Sequence, residues 1–225
     1  MLGAVNRPGQ LGWFEGMRLS DIINDFNEDL ISNSVDLNFS FIERFDPNTF
    51  LWKVIPFRPL DIISKKSTQS DLIVKEGDQI QIIFKDSRRL AQINSAIGKL
   101  EDQSSNEQLV NVVTLSGAVK FPGRYPIFED GTLKTIITAA GGFKDDALLG
   151  SIEISRTDLV GDGLIAPSII EISALNNLDE SSSFMPQSRD RIYVRTVQEL
   201  NMNDTIEIFG EVRYPGTYPL NKYDT

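Results

Sequence analysis

The sequence contains no cysteine and no histidine, and these two absences exclude much of catalytic chemistry. Thiol nucleophiles, Ser-His-Asp triads, zinc fingers, iron–sulfur clusters and histidine-ligated metals all need one or the other. A long hydrophobic run is also missing, since no stretch approaches the ~20 apolar residues of a membrane-spanning helix, and the N-terminus lacks the basic-then-apolar layout of a signal peptide. Positive charge is scarce: 22 Lys and Arg stand against 32 Asp and Glu, a net charge of −10. A polyanion backbone is recognised by clustered cations, so DNA and RNA are disfavoured as partners. What is present is 40% hydrophobic residues, 13 Phe and 2 Trp in 225 residues, which is the balance of a folded chain able to bury a core without disulfides or metal.

The sequence repeats itself. GAVNRPGQLGWFEGMRLSDII, from Gly3 to Ile23, lies without gaps on GAVKFPGRYPIFEDGTLKTII, from Gly117 to Ile137, with ten of 21 positions identical. A third copy, GEVRYPGTYPL, runs from Gly210 to Leu220. The agreement continues past the motif. Ile42 and Arg44 correspond to Ile154 and Arg156, and GDQIQII (Gly77 to Ile83) corresponds to RDRIYVR (Arg189 to Arg195), so that Asp78 falls on Asp190. A shared motif thereby becomes a shared domain.

Each copy reads as a short strand ending in Gly-x-Val, a Pro-Gly turn with glycine at φ > 0, and a returning antiparallel strand. Leu133, Ile136, Ile137 and Ala140 then recur at helical spacing, and Gly141-Gly142 supplies a left-handed stop. Alternation predicts strands at Ser151 to Arg156, Ser168 to Ile172 and Arg191 to Arg195, with Gly161-Asp162-Gly163 turning between the first two. One helix across a small mixed sheet is an α+β arrangement, and the order suits a β-grasp. Between the copies, Leu90, Ile93, Ile97 and Leu100 form one apolar stripe of a connecting helix over Ser87 to Gln103. The expected organisation is therefore domain 1 over 1–86, a helical linker over 87–109, domain 2 over 110–196, and the start of a third domain over 197–225. Limited proteolysis is expected to leave two protected pieces.

The segment VTLSGAVKFPGRYPIFEDGTLKTIITAAGGF resembles the soluble-ligand-binding β-grasp domain, SLBB, and the tandem arrangement with Tyr-Pro after the turn resembles the bacterial outer-membrane polysaccharide export family. The first copy departs from the pattern: Leu11 stands where Tyr125 and Tyr218 stand, and DFNEDLISNSVDLNF replaces Ala-Gly-Gly. The resemblance implies tandem SLBB-like β-grasp domains joined by a helical linker. It implies a non-catalytic periplasmic section of a capsule or exopolysaccharide exporter, associated with the outer membrane in the intact protein. Its partners would be polysaccharide and further subunits of a homo-oligomeric complex, with no nucleic acid and no membrane contact by this section. The alternative is a soluble-ligand-binding or adhesion module of the same fold, unrelated to export. No cofactor and no catalytic or metal site is expected.

Candidate contacts to polysaccharide or to another subunit are Arg7, Lys120, Arg124 and Arg213, which recur near the Pro-Gly turns, and Tyr125 and Tyr218, whose rings could stack on sugars. Solvated turn cations and core aromatics are the plainer readings, and Trp13 is assigned to the core. The repeat signature itself, Gly3, Pro8, Gly9, Gly117, Pro122, Gly123, Gly141, Gly142, Gly210, Pro215 and Gly216, is read as structural. Gly141-Gly142 follows a helix, whereas a phosphate loop precedes one. Asp145, Asp146, Asp158 and Asp162 are too sparse for a calcium loop. Asp224-Thr225 aligns with Gly131-Thr132, so a third hairpin without its helix is expected, exposing Ile206, Ile208, Phe209, Val212 and Tyr218. A monomer or weak dimer is expected in dilute solution.

Overall fold

The computed structural model describes residues 1–24, 26–31, 33–64, 71–104, 110–160, 164–174, 183–197, 205–211, 213–214 and 216–219. The first part comprises β1 (Leu2–Gly3), α1 (Leu19–Ile22), α2 (Phe26–Asp29), β2 (Ser40–Asp46), β3 (Leu51–Phe57), α3 (Pro59–Ile63) and β4 (Gln79–Ile82). Its sheet has the order β1-β4-β2-β3. After α4 (Arg88–Asp102) come β5 (Val112–Gly117), β6 (Gly123–Pro126), α5 (Leu133–Ala139), β7 (Ala147–Val160), β8 (Leu164–Ile172) and β9 (Arg191–Thr196), in a sheet of order β6-β5-β9-β7-β8. Strands β10 (Thr205–Ile208) and β11 (Gly216–Pro219) form a separate antiparallel pair. The fold is α+β with two mixed sheets, as the repeat predicts. Strand β7 exceeds the sequence expectation at both ends, β8 at its start and β9 by one residue at its end, and the turn at 161–163 lies outside the described residues.

The two large sheets obey one pairing rule. The first strand of each copy runs parallel to its last, with Gly3 opposite Ile82 and Gly117 opposite Val194. The last strand is antiparallel to the strand carrying the aligned Ile-x-Arg, with Ile42 opposite Ile80 and Ile154 opposite Ile192. Where the chain leaves the sheet, the Ala4 and Ala118 amides donate to the Ile82 and Val194 carbonyls at 2.9 and 2.8 Å. The parallel pairing brings backbone against backbone, and only glycine fits. A Cβ on either Gly3 or Gly117 would stand 2.0 Å from the carbonyl oxygen opposite.

This corrects the expected turn. The left-handed glycine is the strand-ending one, with φ of 94° at Gly3, 86° at Gly117 and 101° at Gly210, and Gly123 does not share that conformation. Gly123 already belongs to β6, opposite Leu115, and so takes strand geometry. Gly9 of the first copy keeps the expected positive φ, 153°. The hairpin forms in the second and third copies with one register, Val112↔Pro126 to Leu115↔Gly123 matching Thr205↔Pro219 to Ile208↔Gly216. In the first copy it is reduced to an exchange between Met1 and Gly9, at 2.7 and 3.0 Å, and no strand runs through 10–17. Without β6 and its Tyr, that segment has nothing to pin it into a sheet.

Helix α5 ends as its glycines predict. The Gly142 amide donates to the Ile137 carbonyl and that of Gly141 to Thr138, both at 2.9 Å, the paired bonds of a left-handed helix stop. The first copy reaches the same backbone arrangement by another route. Its α1 and α2 deliver Asp29 and Ile31 to the places of Gly142 and Lys144, so that Asn6 donates to Asp29 and Ile31 to Ala4, as Lys120 does to Gly142 and Lys144 to Ala118.

A smaller core, including Leu19, Leu30, Ile42 and Ile82, lies within the first part. The larger core crosses both. Phe41 and Val54 of the first sheet, with Phe39 and Ile83 beside its strands, join Ile93, Ala96, Ile97 and Leu100 of α4, Leu115 of β5 and Ile136 of α5, with the rings of Phe39 and Phe128 5.2 Å apart, edge to face. Helix α4 is thus interior scaffold. A cut at 87–109 would open an interior to which both sheets contribute. No helix among the described residues is long and apolar enough to cross a membrane.

Candidate functional site

Where α4 starts, the two sheets enclose a groove of about 840 Å³. One wall is the loop at 35–38 with Arg58, at the start of α3, and Lys85, just past β4; the other is Lys120 and Phe121 of the second Pro-Gly turn, with Lys134, Thr138, Gly141 and Gly142 of α5 and its stop. The turn is laid onto the helix end by its backbone, the Lys120 and Phe121 amides donating to the Gly142 and Ala140 carbonyls, each at 3.0 Å. The sequence motif and the helix stop therefore build one wall together.

Arg89 forms the floor. Its side chain is 1% exposed and Nη2 donates to Asp36 Oδ2 at 2.8 Å. Its guanidinium lies 5.1 Å from the centroid of the Phe121 ring, and its buried Nε has no hydrogen-bond partner among the described residues. Asp36 is itself held, its Oδ1 accepting from the Asn38 amide at 2.8 Å. At the rim Arg58 donates to Asn38 at 2.9 Å, while Lys85, Lys120 and Lys134 are exposed and make no ion pair among the described residues. Five cationic side chains thus line one groove with a single carboxylate, in a chain of net charge −10. Such a concavity focuses a positive potential that attracts anions.

Of the sequence-predicted contacts, Lys120 alone lies in this groove. Arg7 is exposed on the first copy's turn. Arg124 pairs with Glu101 at 2.7 Å and lines a different cavity of about 1060 Å³ with Arg189 and Arg191. Arg213 is exposed beside the Tyr214 ring. Tyr218 sits in β11 opposite Ile206, and Pro215 and Val212 lie outside the described residues, as do Asp162 and 220–225. Ile208 is half-buried and Phe209 is exposed. Asp145 and Asp146 are exposed, and no group of metal ligands occurs among the described residues.

Two aromatic assignments are corrected. Tyr125 is fully buried and its hydroxyl donates to the Phe121 carbonyl, so it braces the turn from inside and cannot stack on a sugar. Trp13 is 43% exposed rather than core. Its Nε1 donates to the Val74 carbonyl at 2.9 Å, and it lines a third cavity, of about 800 Å³, with Leu2, Leu11 and Met17. The first copy's missing hairpin leaves it uncovered.

Burial pushes the Tyr125 hydroxyl up to about 12, against the opposing nearby charge of Arg89. The folded form therefore keeps its proton where the unfolded chain, near 10, has lost it. Stability is unaffected below pH 10 and falls above it, by at most roughly 1.4 kcal/mol per pH unit up to about pH 12. Thermal melts from pH 8 to 11.5 should show this extra alkaline loss in the wild type and lack it in Tyr125→Phe; equal slopes would refute it.

Arg58, Lys85, Arg89, Lys134 and Asp36 were not singled out by sequence reasoning. Arg89 had a signal. It continues the buried stripe Ile93, Ala96–Ile97, Leu100 one turn towards the helix start, and a cation on a buried face calls for a partner. No curated protein matches the chain. A family comparison matches residues 112–166 to the SLBB domain, a span from the start of β5 into β8, and the chain therefore contains one SLBB domain there.

Proposed function

We propose that this chain is a non-catalytic, periplasmic section of a bacterial capsular or exopolysaccharide export assembly, built from tandem β-grasp domains. In this reading 1–86 and 110–196 are two complete domains, 87–109 is the helix between them, and 197–225 begins a third. They form the wall or the binding face of a homo-oligomeric complex at the outer membrane. The observation that carries it is the repetition of the SLBB region's strand pairing in the first sheet, together with the hairpin register shared by the second and third copies. A series of similar modules suits an extended wall. Deleting the gene in the source organism should abolish surface polysaccharide while its synthesis continues, and the wild-type gene should restore it. Unchanged surface polysaccharide in the deletion strain would sink the proposal.

A further inference from the structure

We infer that the groove between the two sheets is a binding site for an acidic oligosaccharide, whose carboxylates meet Lys85, Lys120 and Lys134 and whose backbone passes over Arg89 and Phe121. The choice of a sugar rests on the export reading; the choice of an anion rests on the groove alone.

The charge distribution comes first. Several cations elsewhere are matched by carboxylates: Arg44 with Asp78, Lys99 with Glu43, Arg124 with Glu101, Arg156 with Asp190 and Arg195 with Glu153. In an acidic chain such matching is easy, because carboxylates outnumber cations. Lys85, Lys120 and Lys134 come together from three separate segments and are left without one among the described residues. Like charges gathered in a concavity repel one another, and an anion between them relieves that repulsion.

The floor adds the second argument. Arg89 is desolvated and only partly satisfied, with Asp36 on one nitrogen and no partner for Nε. A planar guanidinium beside an aromatic ring suits a flat polar ligand better than a point cation does. Gly141 lies directly against both. Its φ is 78°, and a Cβ there would stand 3.0 Å from Arg89 Nη1 and 2.9 Å from the Phe121 ring. The residue that stops α5 therefore also leaves Arg89 and Phe121 the room they occupy beneath the groove.

Size and surface decide the ligand class. About 840 Å³ accommodates a few sugar units. A single-stranded nucleic acid needs exposed aromatic faces on which bases stack. Among the described residues the one aromatic ring in the lining, that of Phe121, already lies against Arg89.

The test is a titration of the full chain with tetragalacturonate, maltotetraose, inorganic phosphate and a short oligothymidylate. Tetragalacturonate should bind, and weaken as salt rises; maltotetraose should not bind. The variant K85E/K120E/K134E should lose about tenfold or more in affinity, and Lys144→Glu, outside the groove, should lose none. If the triple variant does not melt cooperatively, Lys120→Gln and Lys134→Gln singly should each lose a few-fold. No binding of tetragalacturonate, or equal loss in Lys144→Glu, overturns the site. Phosphate bound as tightly as tetragalacturonate makes it a simple oxyanion site, and tighter oligothymidylate makes it a nucleic-acid site; either overturns the sugar. The export reading fails separately, if the deletion strain keeps its surface polysaccharide even though tetragalacturonate binds as expected.

Discussion

Gly117→Ala is expected to destabilise the protein by roughly 3–5 kcal/mol, and Gly123→Ala by less than about 1 kcal/mol. Both glycines belong to the same repeated motif, so nothing in the motif itself ranks them. The backbone does. Gly117 has φ of 86° and faces the Val194 carbonyl, where a Cβ would lie 2.0 Å from oxygen and 2.9 Å from carbon. Both atoms belong to the central parallel pair of the second sheet and cannot move aside without breaking the Ala118–Val194 hydrogen bond. Gly123 lies in the strand with ordinary geometry, and a Cβ there would meet only the Leu90 Cδ2, at an ordinary 3.6 Å. Urea denaturation of the two variants tests the ranking, and comparable losses would refute it. Gly3→Ala should resemble Gly117→Ala, because its Cβ meets the Ile82 carbonyl in the same way.

That contrast shows what the sequence can and cannot reveal. Self-similarity located both copies, and period-two alternation located the core strands, because each is a property of one segment. Proline next to glycine suggested where φ turns positive, and it pointed to the wrong glycine. The position is decided by which strand packs against which, and β4 and β9 are far away in sequence. The same limit explains the aromatics. Tyr125 and Leu11 occupy one motif position, but Tyr125 lies in β6 and packs into the core with α4 while Leu11 lies in no strand, so Trp13 near Leu11 is left half-exposed. The groove was hidden for a further reason. Its cations come from α3, the end of β4, α4, the second turn and α5, and no periodicity connects them. Only the stripe on α4 carried a trace, in Arg89.

The aligned Arg and Asp of the two copies were visible as equivalent positions, and the structure shows that they meet each other. Arg44 Nε and Nη2 donate to Asp78 at 2.8 and 2.6 Å, and Arg156 Nε and Nη2 to Asp190 at 2.9 and 2.7 Å. Asp190 is fully buried and also accepts from the Gln187 amide at 2.8 Å. Its own backbone carbonyl accepts from Thr114 at 2.9 Å. The carboxylate thus ties the segment at 187–190 to β7, while Phe184, whose ring faces the Arg156 guanidinium, accepts from the first amide of α5. Asp190→Asn removes the charge and leaves Arg156, 14% exposed, without it. Breaking a buried pair from one side costs about 3–5 kcal/mol, because the charge left behind loses the carboxylate it was buried against. Glu101→Gln, which breaks the half-exposed pair with Arg124, should cost no more than about 1 kcal/mol. Replacing both members with apolar residues, as Arg156→Met with Asp190→Leu, should recover much of the loss, since the pair's own desolvation is then avoided. Denaturation midpoints of the three variants against wild type decide it: a loss in Asp190→Asn no larger than in Glu101→Gln would show that the repeated pair is surface ornament. Because α5 carries Lys134 and Thr138 into the groove, Asp190→Asn should also weaken tetragalacturonate binding, although Asp190 lines no part of that groove.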